Sequence, residues 1–197
     1  MISSSPTLAG MSAALLCIAW ATLLLPTARM PLTVRVLVMI GITLLVMLPA
    51  GNDPGWYTVR GIFGDSSITA LFFYIAFILQ QNFSWQLYRN NELVLLRWLL
   101  PVTALLLYPF ALGLTRFDSY SPGYSNPWLL AILFIMTLLL WWRKYYFLTI
   151  TLTAAVVAWS LQMLESHNLW DYLLDPVFVV MVVLTWLKPA LSRNHTR

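Results

Sequence analysis

The sequence predicts an all-α fold, a polytopic integral membrane helix bundle with seven transmembrane helices, on three observations. Long apolar runs recur seven times, the connections between them are too short to fold separately, and basic residues fall almost wholly in alternate connections. With 60% of its 197 residues hydrophobic and 9% charged, the chain lacks the polar surface that a soluble domain needs to cover its core. A bilayer reverses that requirement, because lipid-facing surface is apolar and backbone polar groups pair within helices. The whole chain, 1–197, reads as one transmembrane domain with short loops.

Crossing a hydrocarbon core of about 30 Å takes roughly 20 helical residues. Runs near 8–26, 32–50, 66–83, 93–113, 127–142, 147–164 and 172–187 fit that need, the fifth and seventh being the shortest. Pro26 and Pro31 bracket the first connection, and Gly51-Asn52-Asp53-Pro54-Gly55 opens the second. Ser121-Pro122-Gly123 and Asn126-Pro127 mark the fourth, with Pro127 in the first helical turn, where its missing N–H costs nothing. The first basic residue, Arg29, lies beyond the first run, so that run reads as a span and not as a cleaved signal. Cys17 is the single cysteine; the bulky Leu16 before it is a poor match to a lipid-attachment box, and it reads as a buried helix residue.

Orientation follows from the charges, since short cytoplasmic loops retain Lys and Arg during insertion. Nine of eleven fall on one side: Arg29, Arg35, Arg89, Arg97, Arg143, Lys144, Lys188, Arg193 and Arg197. The other side holds Arg60 and Arg116 with six of the seven acids, Asp53, Asp65, Asp118, Glu165, Asp171 and Asp175. The N-terminus is therefore expected outside and the C-terminus inside. Compact loops and this asymmetry fit a bacterial inner membrane. The net charge of +4 is accounted for by topology and gives no reason to invoke nucleic acid.

Trp141-Trp142-Arg143-Lys144-Tyr145-Tyr146 places four amphipathic rings around two cations at a tight turn, as an interfacial belt requires, with membrane lipids as partners. Trp56, Tyr57, Trp128 and Trp170 are expected to do the same outside. Arg35 and Arg97 lie just inside their spans, within reach of the interface. Arg97 has an alternative, because Pro101 and Pro109 interrupt the same helix and leave carbonyls for it to meet.

Familiar membrane chemistries need residues that this chain does not supply. Transmembrane haem needs histidines inside helices, and a zinc protease needs a His-Glu-x-x-His cluster. The histidines here are His167, in an outer loop, and His195, in the tail. Lys188 stands at the end of the last span, where a retinal Schiff base would not form, and no Walker phosphate loop is present. No cofactor or metal is expected. Asn82-Phe83-Ser84 and Asn194-His195-Thr196 fall on the cytoplasmic side, so neither sequon predicts glycosylation.

The outer loops carry the candidate site. Arg60, Arg116, Asp65, Tyr120 and Tyr124 are the ligand-binding candidates, since arginine forks a phosphate or carboxylate and aromatics stack on sugars or prenyl chains. His167 beside Glu165, with Asp118, is the candidate acid–base set. Each also has a structural reading: Asp65 and Ser66 as N-caps of the third span, Asp171 and Asp175 at the positive end of the seventh, Arg60 and Arg116 paired with nearby acids, and Gly61 and Gly64 as turn residues.

With few coupling or catalytic residues in the spans, the leading expectation is a non-enzymatic subunit, an assembly or scaffold factor of a cell-envelope membrane complex. Its partners would be other membrane or periplasmic subunits. The alternatives are a membrane-embedded enzyme acting on an outer-leaflet or lipid-linked substrate through Arg60, Arg116 and His167, and a small-molecule or lipid transporter with a neutral polar path.

Overall fold

Each of the seven apolar runs forms a helix, as sustained stretches of Leu, Ile, Val, Ala and aromatic residues without polar breaks dictate where backbone groups must pair internally. The computed structural model describes residues 6–27, 30–51, 53–112, 118–124 and 126–193. The runs become α1 (Pro6–Leu24), α2 (Leu32–Met47), α4 (Ile68–Phe83), α5 (Asn90–Ala111), α6 (Pro127–Trp142), α7 (Tyr146–Ser160) and α9 (Pro176–Arg193). Between them lie two short helices, α3 (Gly55–Phe63) and α8 (Leu169–Leu173). A two-residue antiparallel pair, β1 (Pro49–Ala50) with β2 (Asp53–Pro54), closes the turn after α2.

Among the described residues, three helical stretches are long and apolar enough to cross a membrane: Thr7–Leu24, Asn90–Ala111 and Leu169–Trp186. A fourth joins them if α3 and α4, bent by 117°, count as one span. α2, α6 and α7 are apolar but shorter, at 16, 16 and 15 residues. At 1.5 Å per residue they rise about 22–24 Å, less than a core of about 30 Å.

The second connection differs most from expectation. Residues 55–63, read from sequence as loop, form α3, which buries Trp56 with Ala9, Ala13 and Ala14 of α1 and Val46 of α2. Tyr57, stacked on Trp56 at 4.2 Å between ring centroids, and Ile62 are exposed. Gly64, at φ 75°, ends the helix in a left-handed conformation that a side chain would strain, and the chain then turns into α4.

Small residues bring α1 and α4 together, and Ala19 of α1 and Ala70 of α4 are each fully buried in the core that the two helices share. Phe73, Tyr74, Phe178, Met181 and Val182 fill the centre where α4 meets α9, and Phe73 packs on Phe178 at 5.2 Å. A second cluster joins α6, α7 and α8 through Leu129, Leu133, Ala155 and Tyr172. Large apolar side chains such as Leu37, Leu45, Leu105 and Phe134 point outward, as a lipid-facing surface requires.

Polar side chains concentrate at helix ends, where the first N–H and last C=O groups lack helical partners. The α4 N-terminus meets the α9 N-terminus through Asp175, which accepts from the Ser67 N–H at 3.0 Å, the Ser67 hydroxyl at 3.1 Å and the Phe178 N–H at 2.6 Å. The sequence reading put the α4 cap at Asp65 or Ser66; it is Ser67, whose hydroxyl accepts from the Ala70 N–H. At the other end of the bundle, the buried carboxylate of Glu92 accepts from the Arg89 N–H at 2.8 Å and, across to α7, from the Phe147 N–H at 2.9 Å. One acid thus caps two parallel helices.

The two interior arginines complete the C-terminal ends. Arg35 on α2 donates to the Met30 carbonyl and to the Asn82 carbonyl near the end of α4, each at 2.8 Å. Arg97 donates to the Thr185 carbonyl of α9 at 2.8 Å. That carbonyl would normally accept from residue 189, which is Pro189 and has no N–H. Arg97 therefore meets a carbonyl freed by a proline on a neighbouring helix, and not one freed by Pro101 or Pro109 of its own.

Glu92→Ala removes the carboxylate that accepts from the Arg89, Phe147 and Leu148 amides and is expected to destabilise the protein by about 2–3 kcal/mol. Glu92→Gln keeps an acceptor oxygen and loses less than half of that. Thermal unfolding of the purified protein in detergent checks both.

Candidate functional site

The loops flanking α3, α4, α8 and α9 gather at the acidic end of the bundle. Arg60, on the last turn of α3, reaches Asp65 beyond Gly64 with Nε–Oδ1 at 2.6 Å and Nη2–Oδ2 at 2.7 Å. This is the two-pronged fit of a planar guanidinium to a carboxylate. The same Nη2 lies 2.8 Å from Oε1 of Glu165, in the loop between α7 and α8. Three of the sequence-predicted residues thus come together, and one arginine ties the α3–α4 corner to the α7–α8 loop.

Tyr120 and Tyr124 form a second group beside it. Tyr120 donates from its hydroxyl to Oδ2 of Asp171 at 2.7 Å, and the Ser166 hydroxyl donates to the same oxygen. Tyr124 is exposed and packs edge-on against Tyr120 at 5.8 Å between ring centroids. Asp118 holds the turn, accepting from the Tyr120 and Ser121 N–H groups at 2.9 and 3.1 Å. Burial first, and then the bond to Asp171, raises the Tyr120 phenol above its ordinary range.

Asn168, which sequence reasoning missed, organises this corner. Fully buried, it accepts from the Trp170 N–H at 2.9 Å as the cap of α8 and donates from its side chain to the Tyr120 carbonyl at 3.0 Å. The 3-10 turn Ser121–Tyr124 can approach so closely only because residue 123 is glycine. A Cβ there would stand 1.8 Å from Oδ1 of Asn168. A signal existed in sequence: Asn two positions ahead of a Trp-Asp pair is a helix start.

His167 lies between Ser166 and Asn168 with its side chain exposed, while its backbone carbonyl accepts from the Trp159 indole N–H at 2.9 Å. Its neighbour Glu165 is engaged with Arg60, and Asp118 with its turn. Arg116 lies outside the described residues. Among the described residues, no three His, Cys, Asp or Glu side chains gather as a metal set. The linked carboxylates, amides and phenols fix these loops against one another.

Comparison with protein-family models, curated proteins and solved structures gives no match in any of the three.

Gly123→Ala forces the turn off Asn168, and the expected result is proteolytic sensitivity near residues 118–126 with α-helical content retained. In the ion-pair group, Glu165 is more than half exposed and Asp65 is not. Glu165→Gln is therefore expected to change stability by about 0.5 kcal/mol or less, and Asp65→Asn by more. A raised Tyr120 pKa means that the unfolded chain loses this proton first, so its contribution is present below about pH 10 and declines as pH rises further. Unfolding followed over that range is expected to show a shallower decline for Tyr120→Phe than for the wild type.

Proposed function

We propose that this chain is a seven-span membrane protein, N-terminus outside and C-terminus inside, acting as a non-enzymatic subunit or assembly factor of a larger complex in a bacterial inner membrane. The observation that carries the reading is the commitment of Arg60. The residue best suited to grip a phosphate or carboxylate is already forked to Asp65 and bridged to Glu165. An anionic substrate would have to displace two carboxylates and loosen the α3–α4 corner. A loop assembly of this kind serves better as a fixed surface for a partner than as a reaction site.

The seven-span arrangement draws support from the connection between α6 and α7. Arg143 and Lys144 join two antiparallel apolar helices in a tight turn, with Trp141 and Trp142 exposed beside the cations. Both helices therefore meet the bilayer at the same face, anchored by one belt. Local thinning of the bilayer and snorkelling accommodate helices of 15 and 16 residues at a modest cost.

In native gels of solubilised membranes the protein is expected to migrate in an assembly well above its 22.5 kDa mass. Combined Arg116→Ala and His167→Ala is expected to leave that assembly and the host phenotype unchanged. A lone monomer, or loss of function in a variant whose assembly survives, contradicts the proposal. Reporter tags at the two termini are expected on opposite sides of the membrane; tags on one side refute seven spans.

A further inference from the structure

At the end of the bundle away from the acidic loops, two connections are locked side by side. The connection from α4 to α5 carries Tyr88, which is buried against Phe147 at the start of α7 with 5.5 Å between ring centroids. One residue on, the Arg89 N–H binds the same Glu92 carboxylate that accepts from the Phe147 and Leu148 N–H groups. Amides that share a carboxylate are near neighbours, so Arg89 stands beside the α6–α7 turn, where Arg143 and Lys144 shortly precede Phe147. That turn is fixed in its own right. The Arg143, Lys144 and Tyr145 N–H groups donate to the Leu139, Trp141 and Leu140 carbonyls of α6 at 3.0, 2.9 and 2.9 Å.

The fold thus gathers three cations from two segments and leaves their charge unmatched. Arg89, Arg143 and Lys144 are exposed, and among the described residues none of them forms an ion pair. Arg60, Arg35 and Arg97 differ, each being committed to carboxylates or carbonyls. The one acid in these segments is Glu92, which is 2% exposed and occupied by three amides. Trp85, Trp141, Trp142 and Tyr146 are exposed on the same two segments. Amphipathic rings of this kind settle at headgroup depth, where the available anion is a lipid phosphate. Arginine forks phosphate oxygens and lysine adds a point charge.

We propose that Arg89, Arg143 and Lys144 form a binding site for the phosphate of one phospholipid of net negative charge. The choline of a zwitterionic lipid is repelled by the same cations, so the site discriminates between the two. It needs only that this end of the bundle meets a bilayer, and it is independent of the subunit role proposed above and of which face is inside.

The full-length protein is equilibrated in detergent with equal amounts of phosphatidylglycerol and phosphatidylcholine and measured by native mass spectrometry. It is expected to retain one phosphatidylglycerol, with a preference over phosphatidylcholine of about tenfold. Arg89→Gln alone, and Arg143→Gln combined with Lys144→Gln, are each expected to lower that preference to about threefold or less, with circular dichroism unchanged. Arg193→Gln combined with Arg197→Gln removes the same charge as the turn pair, but from the tail, and is expected to leave the preference intact. Washing the wild type in about 1 M salt, which screens charges beyond about 3 Å, is expected to strip the lipid and needs no variant to fold. The proposal is overturned if the wild type shows no preference, if the lipid survives the salt wash, if folded Arg89→Gln keeps the full preference, or if the tail pair loses as much as the turn pair.

Discussion

A helix that ends in or beside hydrocarbon leaves backbone N–H and C=O groups that water does not reach, and this bundle satisfies them with side chains lent by neighbouring helices. Asp175 caps α9 and at the same time holds the start of α4. Glu92 does the same for α5 and α7. Arg35 and Arg97 supply donors to carbonyls on α4 and α9. Each of these groups costs several kcal/mol if left unpaired in a bilayer. The contacts between helices are therefore specified at their ends, where apolar packing alone is permissive.

That constraint orders the rest of the fold. Parallel neighbours share an acid at their N-termini, as α4 with α9 and α5 with α7. Antiparallel neighbours meet through an arginine and a carbonyl, as α5 with α9. Between these ends the packing is apolar and close where residues are small, as at Ala19 of α1 and Ala70 of α4, and loose where α5 and α6 follow different partners. An apolar cavity of about 280 Å³ lies in that loose region. At the acidic end the loops are fixed by the same device, with Arg60, Asn168 and Asp171 each serving two segments.

The helices themselves were legible in the sequence because apolar run length reports backbone pairing directly, and the bounds of α6 coincide with the run at 127–142. Pairing of Arg60 with a nearby acid was also legible, since five residues separate it from Asp65. The partnership with Glu165 was not, because the two are brought together only by the packing of α3 and the α7–α8 loop. α3 escaped notice for a different reason: Gly55, Gly61 and Gly64 read as turn residues, whereas Trp56 supplies enough buried surface to hold a helix against α1 and α2. Glu92 escaped because Arg89 occupies the position where a serine or threonine would announce a capping box. Arg97 reads from sequence as reaching the interface, with carbonyls freed by Pro101 and Pro109 of its own helix as the alternative, whereas the carbonyl it meets was freed by Pro189 on another helix.

Backbone amide exchange in bilayers measures the central claim most directly. Amides in the first turn of a helix normally exchange fast, because they have no helical acceptor. The Ser67, Phe147 and Phe178 amides are predicted to be protected to the level of helix interiors, since each has a carboxylate acceptor within 3.0 Å. Exchange of these three at the rate of free helix ends would contradict the account.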